Sequence, residues 1–303
     1  MVLETTGLVD FQVGGKTYQT WYKVIGDLRS SARRPLVALH GGPGMSHHYM
    51  LPHTTLSTRA GIPVVFYDQI GNGKSSHVRD APDEFWTPKL FMDELDNLLQ
   101  HLGIQNDFDL LGQSWGGMLG GHYAAERAPK GLKRLIIANS PASVELYEAG
   151  TSELLNEFPE ELVKMLRKHE TEETTDAQEY QDGMQGFYKK HVCNMDPWPA
   201  ELVESFASLD ANPTVYRTMF GPSEFHATGS LKKWSIVDIL HQIPYPTLLI
   251  SSPRDSVQKA AVLPWFRNIQ KIKWVELQNS SHLAQFEEPD RYFEVLMEFL
   301  EAT

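Results

Sequence analysis

"LLGQSWGGMLGGHYAAE", residues 110–126, sets a serine where an apolar run ends and a small-residue run of helical character begins, with five glycines crowded around it. Ahead of the serine "FDLL" reads as a strand, and behind it "GGMLGGHYAAERAP" reads as a helix. Gly112, Ser114 and Gly116 fit G-x-S-x-G, the elbow in which a nucleophile occupies a sharp, strained turn from strand to helix. So tight a turn leaves no room for a Cβ at neighbouring positions, and the strain holds the serine oxygen clear of the backbone.

Outward from the elbow the pattern is α/β. "PLVALH" (35–40), "PVVFYD" (63–68), "FDLLG" (108–112) and "RLIIAN" (134–139) are short continuous apolar runs, the signature of strands buried on both faces of a parallel sheet. Before them, "LVDFQV" (8–13) and "TYQTWYKV" (17–24) alternate around a Gly-Gly pair and predict a hairpin. Between 141 and 229 the alternation stops, and "ELLNEFPEELVKMLRKH", "AQEYQDGMQGFYKKHV" and "PAELVESFASL" carry apolar residues at helical spacing. It resumes with "YPTLLISS" (245–252), "IKWVELQ" (272–278) and an amphipathic helix "PDRYFEVLMEFLEA" (289–302). The expected organisation is an α/β core from 1–140 and 230–303, with a mostly parallel central sheet, interrupted by a helical cap at 141–229.

Composition narrows the function. A formal charge of −12 with no visible basic patch argues against nucleic acid or an anionic membrane as partner. Cys193 is the one cysteine, which excludes an intrachain disulfide framework and a cysteine-cluster metal site. "VLETTGLVDFQ" after Met1 lacks a basic region followed by an apolar one, and no apolar run approaches ~18 residues, so a cytoplasmic protein is expected. H-E-x-x-H is absent, and the adjacent His47 and His48 are expected to point apart, so no metal site is predicted.

A serine hydroxyl needs a histidine base, itself oriented by a carboxylate, and around an elbow these follow in the order Ser, Asp or Glu, His. His282 stands in the loop "NSSHLAQFEEP" between the last strand and the last helix, and Asp255, in "SSPRDSVQ", lies just beyond the preceding strand. Asp238 falls at the wrong end of that strand and Glu276 inside the next, while His241 and His122 are read as structural. The oxyanion needs preorganised donors. One is the N–H of Trp115, the residue after the nucleophile; the other is expected from Gly42 in "HGGPG" (40–44), the most specific string in the chain.

"HGGPGMSHHYM", "FYDQIGNGKSS" (66–76) and "GQSWGG" together resemble the proline iminopeptidase family of α/β-hydrolases. "NPTVYRTMFGPSEF" (212–225), "WSIVDIL" (234–240) and "SSHLAQFEEPDRY" (280–292) resemble its tricorn-interacting aminopeptidase branch in order and spacing, so the likeness covers nearly the whole chain. It implies an α/β-hydrolase fold with a helical cap, no cofactor, and hydrolysis of an amide or ester bond next to an N-terminal residue of a small molecule or short peptide. It also implies the triad Ser114, Asp255 and His282, the oxyanion hole Gly42 and Trp115, and Glu224 as the carboxylate that holds the substrate's α-ammonium; Phe225, an aromatic next to Glu224, is itself expected to bind substrate. The loop "DQIGNGKSS" is read as packing under the site. One position departs: aminopeptidases of this group carry a second glutamate directly after the catalytic aspartate, and this chain has Ser256.

That departure, with Trp115, Phe225 and Trp198 as candidate pocket aromatics, keeps open a hydrolase of an amine-free ester, lactone or specialised metabolite. From another class, a ligand-binding member of the fold with low turnover also stays open, since fold does not fix function.

Overall fold

The computed structural model describes residues 2–301. Eight strands form one sheet: β1 (Glu4–Val13), β2 (Lys16–Ile25), β3 (Leu36–Leu39), β4 (Val64–Asp68), β5 (Phe108–Gln113), β6 (Leu132–Ala138), β7 (Thr247–Ser251) and β8 (Ile272–Glu276), in the order β1-β2-β4-β3-β5-β6-β7-β8. The hairpin β1–β2 joins antiparallel to β4, and every pairing from β4 to β8 is parallel. Every residue of β3, β4, β5 and β7 is buried, as the continuous apolar runs require.

Helices cover both faces. α1 (Thr54–Ala60) and the last helix, α11 (Pro289–Glu301), pack with Leu36, Val64, Phe66 and Leu111 on one side. On the other, α2 (Pro88–Leu102), α3 (Trp115–Glu126) and α9 (Lys259–Asn268) pack with Val37, Leu39, Val65 and Leu110. Consecutive strand residues thus feed opposite layers, which is the period-two geometry of a strand.

Between β6 and β7 the chain forms α4 (Val144–Leu155), α5 (Glu160–Thr171), α6 (Gln178–His191), α7 (Ala200–Ala211) and α8 (Thr214–Met219). An antiparallel bridge between Ser143 and Ser235 ties the two ends of this excursion together. α7 then returns over the loop after β3, where the Ser205 hydroxyl accepts the Tyr49 N–H at 3.0 Å. A short helix α10 (Ala284–Glu287) precedes α11. Among the described residues no helix is long and apolar enough to cross a membrane. Because β3 and β5 to β8 are parallel, the loops leaving their C-terminal ends gather at one edge, the usual crevice of an open α/β sheet.

Candidate active site

Ser114 closes β5 and caps α3 with φ 56° and ψ −125°, a conformation that L-residues rarely adopt, and its side chain makes no capping hydrogen bond. The hydroxyl is therefore not spent on the helix. The neighbouring glycines are explained by contact: a methyl on Gly112 would overlap the Gly116 carbonyl, and one on Gly116 would overlap the Leu39 carbonyl. A side chain at Gly112 would force β5 and α3 apart, and one at Gly116 would push the elbow off β3.

Beyond β7 and β8 the Asp255 carboxylate is fully buried and meets His282, whose Nδ1 lies 2.7 Å from Oδ1. The same oxygen accepts the Val257 N–H at 2.8 Å and the Ser256 hydroxyl at 3.3 Å, while Oδ2 accepts Asn139 Nδ2 at 2.8 Å. With Nδ1 donating to a carboxylate, Nε2 is left as the free nitrogen of a neutral imidazole. Burial opposes charging His282, but the charge and hydrogen bond of Asp255, with Glu224 and Glu287 adding, outweigh it and raise its pKa above the ordinary 6.5.

Gly42, at φ 111°, sits where the chain turns after β3. The preceding Gly41 N–H donates to the Tyr49 hydroxyl at 2.5 Å, which donates to Gln113 Oε1 at 2.7 Å; Gln113 Nε2 in turn donates to the His282 carbonyl at 3.0 Å. The Gly42 N–H has no acceptor among the described residues. The Trp115 N–H opens α3, where no intrahelical acceptor exists. Two free donors thus flank the serine.

Gln69 fixes the spacing between them. Its Nε2 donates to the His40 carbonyl at 3.0 Å and its Oε1 accepts the Trp115 indole N–H at 2.9 Å, while its backbone N–H donates to His40 Nε2 at 3.0 Å. That last bond requires neutral His40, whose pKa burial lowers to about 4. The rest of the "DQIGNGKSS" loop is tied down beneath the site: Asp68 accepts the His47 N–H at 2.7 Å, and Glu94 accepts the Ile70 N–H at 2.9 Å. Gln69→Leu would strand the His40 carbonyl and the Trp115 indole, each costing about 1–3 kcal/mol. It should lower Tm and cut kcat by about a hundredfold through misplacement of the donors, with KM little changed. A rise in KM with kcat intact would instead make Gln69 a substrate contact.

Ser114, His282, Gly42, Glu224 and Ser256 all line one cavity of about 470 Å³. Glu224 faces it with both oxygens engaged, Oε2 by the Tyr147 hydroxyl at 2.7 Å and Oε1 by the Tyr216 hydroxyl at 2.9 Å. Burial, with the nearby Glu224 charge, holds both phenols well above their usual pKa, so they stay donors. A carboxylate oxygen has two lone pairs, so one acceptor site per oxygen remains for a ligand. Tyr147 and Tyr216 went unread in the sequence because, in "VELYEAG" and "TVYRTM", they occupy buried helix positions indistinguishable from core.

Three expectations need correction. Phe225 is not among the cavity residues; its ring is buried against Tyr180 and Phe187, with centroids 6.4 and 5.3 Å away, because the chain turns after Glu224 and sends the next side chain into the helical layer. The Trp115 side chain likewise packs beneath the elbow against Phe91, whereas Trp198 does line the cavity. His47 and His48 do not point apart: a tight 3₁₀ turn brings their rings to 4.0 Å, although each contacts a different carboxylate, Asp68 and Glu204. Among the described residues no group of three or more His, Cys, Asp or Glu is placed to hold a metal ion.

A family model described as the α/β-hydrolase fold matches residues 34–289, and the sheet order and elbow define an enzyme of that class, a hydrolase. A proline iminopeptidase of Saccharolobus solfataricus is 33% identical over 288 residues, covering 95% of this chain and 90% of that protein. The crystal structure of a proline iminopeptidase from Mycobacterium smegmatis superimposes with a TM-score of 0.86 at 37% identity, covering 97% of each chain. That of a protein named VinJ gives 0.92 at 45% identity, covering 97% of this chain and 98% of the other. The chain belongs to the proline iminopeptidase-like family of α/β-hydrolases.

Proposed function

We propose that this protein is a serine hydrolase of the aminopeptidase or amino-acid amidase type, which releases an N-terminal residue bearing a free α-ammonium. Ser114 Oγ attacks the carbonyl carbon as His282 Nε2 takes its proton, and Asp255 holds the imidazole in the tautomer this needs. The Gly42 and Trp115 N–H groups receive the oxyanion. The imidazolium returns its proton to the leaving amine or alkoxide, giving an acyl-enzyme, and a water deprotonated by the same histidine releases the acid. Residues 141–229 act as a cap over the crevice and supply Glu224.

The observation that carries this reading is Glu224, an acceptor fixed by two phenols in the cavity that holds Ser114 and His282. A carboxylate so placed selects a cation and disfavours a blocked amine. The same cavity is also lined by Met184, Tyr188, Val192, Trp198, Leu202 and Phe206, a largely apolar surface suited to the uncharged parts of a substrate. Ser256 favours a second reading, hydrolysis of an amine-free ester, lactone or specialised metabolite, because it leaves the ammonium end with one carboxylate where relatives of the resembled branch carry two.

The test is a paired assay on prolyl and alanyl p-nitroanilides with the amine free and acetylated, alongside p-nitrophenyl acetate. A strong free-amine preference supports the aminopeptidase reading, and ester turnover with no such preference supports the second. Glu224→Gln should raise KM for free-amine substrates by about ten- to a hundredfold, the worth of a charge-assisted hydrogen bond, and leave the ester nearly unchanged. Equal losses on both would remove Glu224 from amine recognition.

A further inference from the structure

Ser256 does more than remove a carboxylate. Its hydroxyl stands 3.3 Å from the Tyr147 hydroxyl and donates to Asp255 Oδ1 at 3.3 Å, while Tyr147 donates to Glu224 Oε2 at 2.7 Å. Polar contacts thus lead from Glu224 to Tyr147 and from Ser256 to Asp255 and His282, and the two hydroxyls, each of which spends its proton on a carboxylate, touch at 3.3 Å between them. Three carboxylates act on His282: Asp255 after β7, bonded to it at 2.7 Å, Glu224 after α8, which lines the same cavity as the imidazole, and Glu287 on α10. The first is saturated by protein donors. Glu287 is also filled, by the Ser281 N–H at 2.6 Å, the Ser281 hydroxyl at 2.7 Å and the Asn194 N–H at 2.7 Å. Of the three, Glu224 is the one that lines the cavity, so it is the one whose charge an incoming substrate can change.

Resting on the aminopeptidase reading above, we infer that the substrate's own ammonium tunes the catalytic base: by neutralising Glu224 it makes His282 less basic, so free-amine substrates are turned over at lower pH than amine-free ones. The sign follows from charge. In the free enzyme Glu224 stabilises the imidazolium and keeps the base protonated to higher pH. A bound ammonium cancels that influence, and His282 becomes neutral, hence competent, at lower pH. The ammonium belongs to the acyl half of the substrate, so it stays through acylation and deacylation. Serine at 256 makes the cancellation complete, because one cation meets one carboxylate; a second glutamate there would leave a negative charge beside Asp255 after the cation had bound. Tyr147 and Ser256 are positioning residues that hold Glu224 in register with the Asp255–His282 pair.

The readout is the acid limb of the pH profile, which reports the free enzyme in kcat/KM and the complex in kcat. With alanyl p-nitroanilide, whose amine titrates near the ordinary 7.7–8.0, the kcat limb should lie below the kcat/KM limb by roughly one pH unit. With p-nitrophenyl propionate, which has the same acyl carbons and no amine, the two limbs should coincide. Glu224→Gln should move the ester's limb to lower pH and abolish the separation for the anilide. Ser256→Glu, where it folds, should raise the kcat limb for the anilide. A wild-type preference for free amines with coincident limbs overturns the coupling and leaves the aminopeptidase reading standing; no preference for free amines in either parameter overturns both.

Discussion

Replacing Ser114 with alanine is expected to lower kcat on any substrate of this enzyme by about four to six orders of magnitude, with Tm nearly unchanged. The expectation of intact folding comes from the site itself: the Ser114 side chain makes no capping hydrogen bond, so alanine removes no structural contact, and its backbone N–H bond to the Ala138 carbonyl at 3.0 Å is untouched. The strained φ of 56° is equally strained for alanine. On the proposed mechanism, what is lost is the nucleophile. Residual catalysis over water should persist, because the Gly42 and Trp115 N–H groups and Glu224 remain. A fluorophosphonate probe gives the complementary result: it should label the wild type at Ser114 and leave the variant unlabelled. A wild type that folds and binds yet resists the probe would favour the low-turnover binding class, and a variant within tenfold of wild type would move the chemistry elsewhere.

The elbow, the parallel strands and the helical excursion were legible because each rests on local physics. Continuous apolar runs of about four to seven residues mean strands buried on both faces, and the structure places β3, β4, β5 and β7 there, with β6 buried from Leu135 onward. The glycines at 112 and 116 are imposed by backbone contact, which sequence records directly. The order Ser, Asp, His follows from strand order, so Asp255 and His282 could be paired before any coordinates; the structure brings them within 2.7 Å. Side-chain direction inside the helical layer was not legible. Phe225 and Glu224 are adjacent, and a one-residue difference sends one into packing and the other to the cavity. Glu94 shows the same limit: a carboxylate on an amphipathic helix reads as solvated, yet it is fully buried beneath the loop and its pKa is raised to about 8 by burial, against the bonds it accepts from Thr20 and Ile70. Periodicity names the buried face of a helix; it does not say which buried residue meets a ligand.

Asp255→Asn is the second change with a very large expected effect, a fall in kcat of about ten-thousandfold with KM changed far less. The argument lies in counting donors. The native carboxylate accepts from four groups, His282 Nδ1, the Val257 N–H, the Ser256 hydroxyl and Asn139 Nδ2. An asparagine has one oxygen and one NH₂, so one of these directions must meet a donor with a donor. If the NH₂ turns toward Asn139, two amide groups clash and the loop after β7 must shift. If it turns toward His282, the imidazole is driven to accept at Nδ1 and to carry its proton at Nε2, and it can no longer take the proton from Ser114. Either orientation impairs the base, by displacing the loop that holds it or by inverting its tautomer, and leaves Glu224 in place. The loss should therefore appear in kcat for amide and ester substrates alike, and the raised His282 pKa should fall, because the charge of Asp255 and its hydrogen bond are what offset burial. Nuclear magnetic resonance titration of the imidazole checks that directly. A variant that keeps the wild-type pKa of His282 while losing activity would mean that Asp255 orients the loop without holding the base.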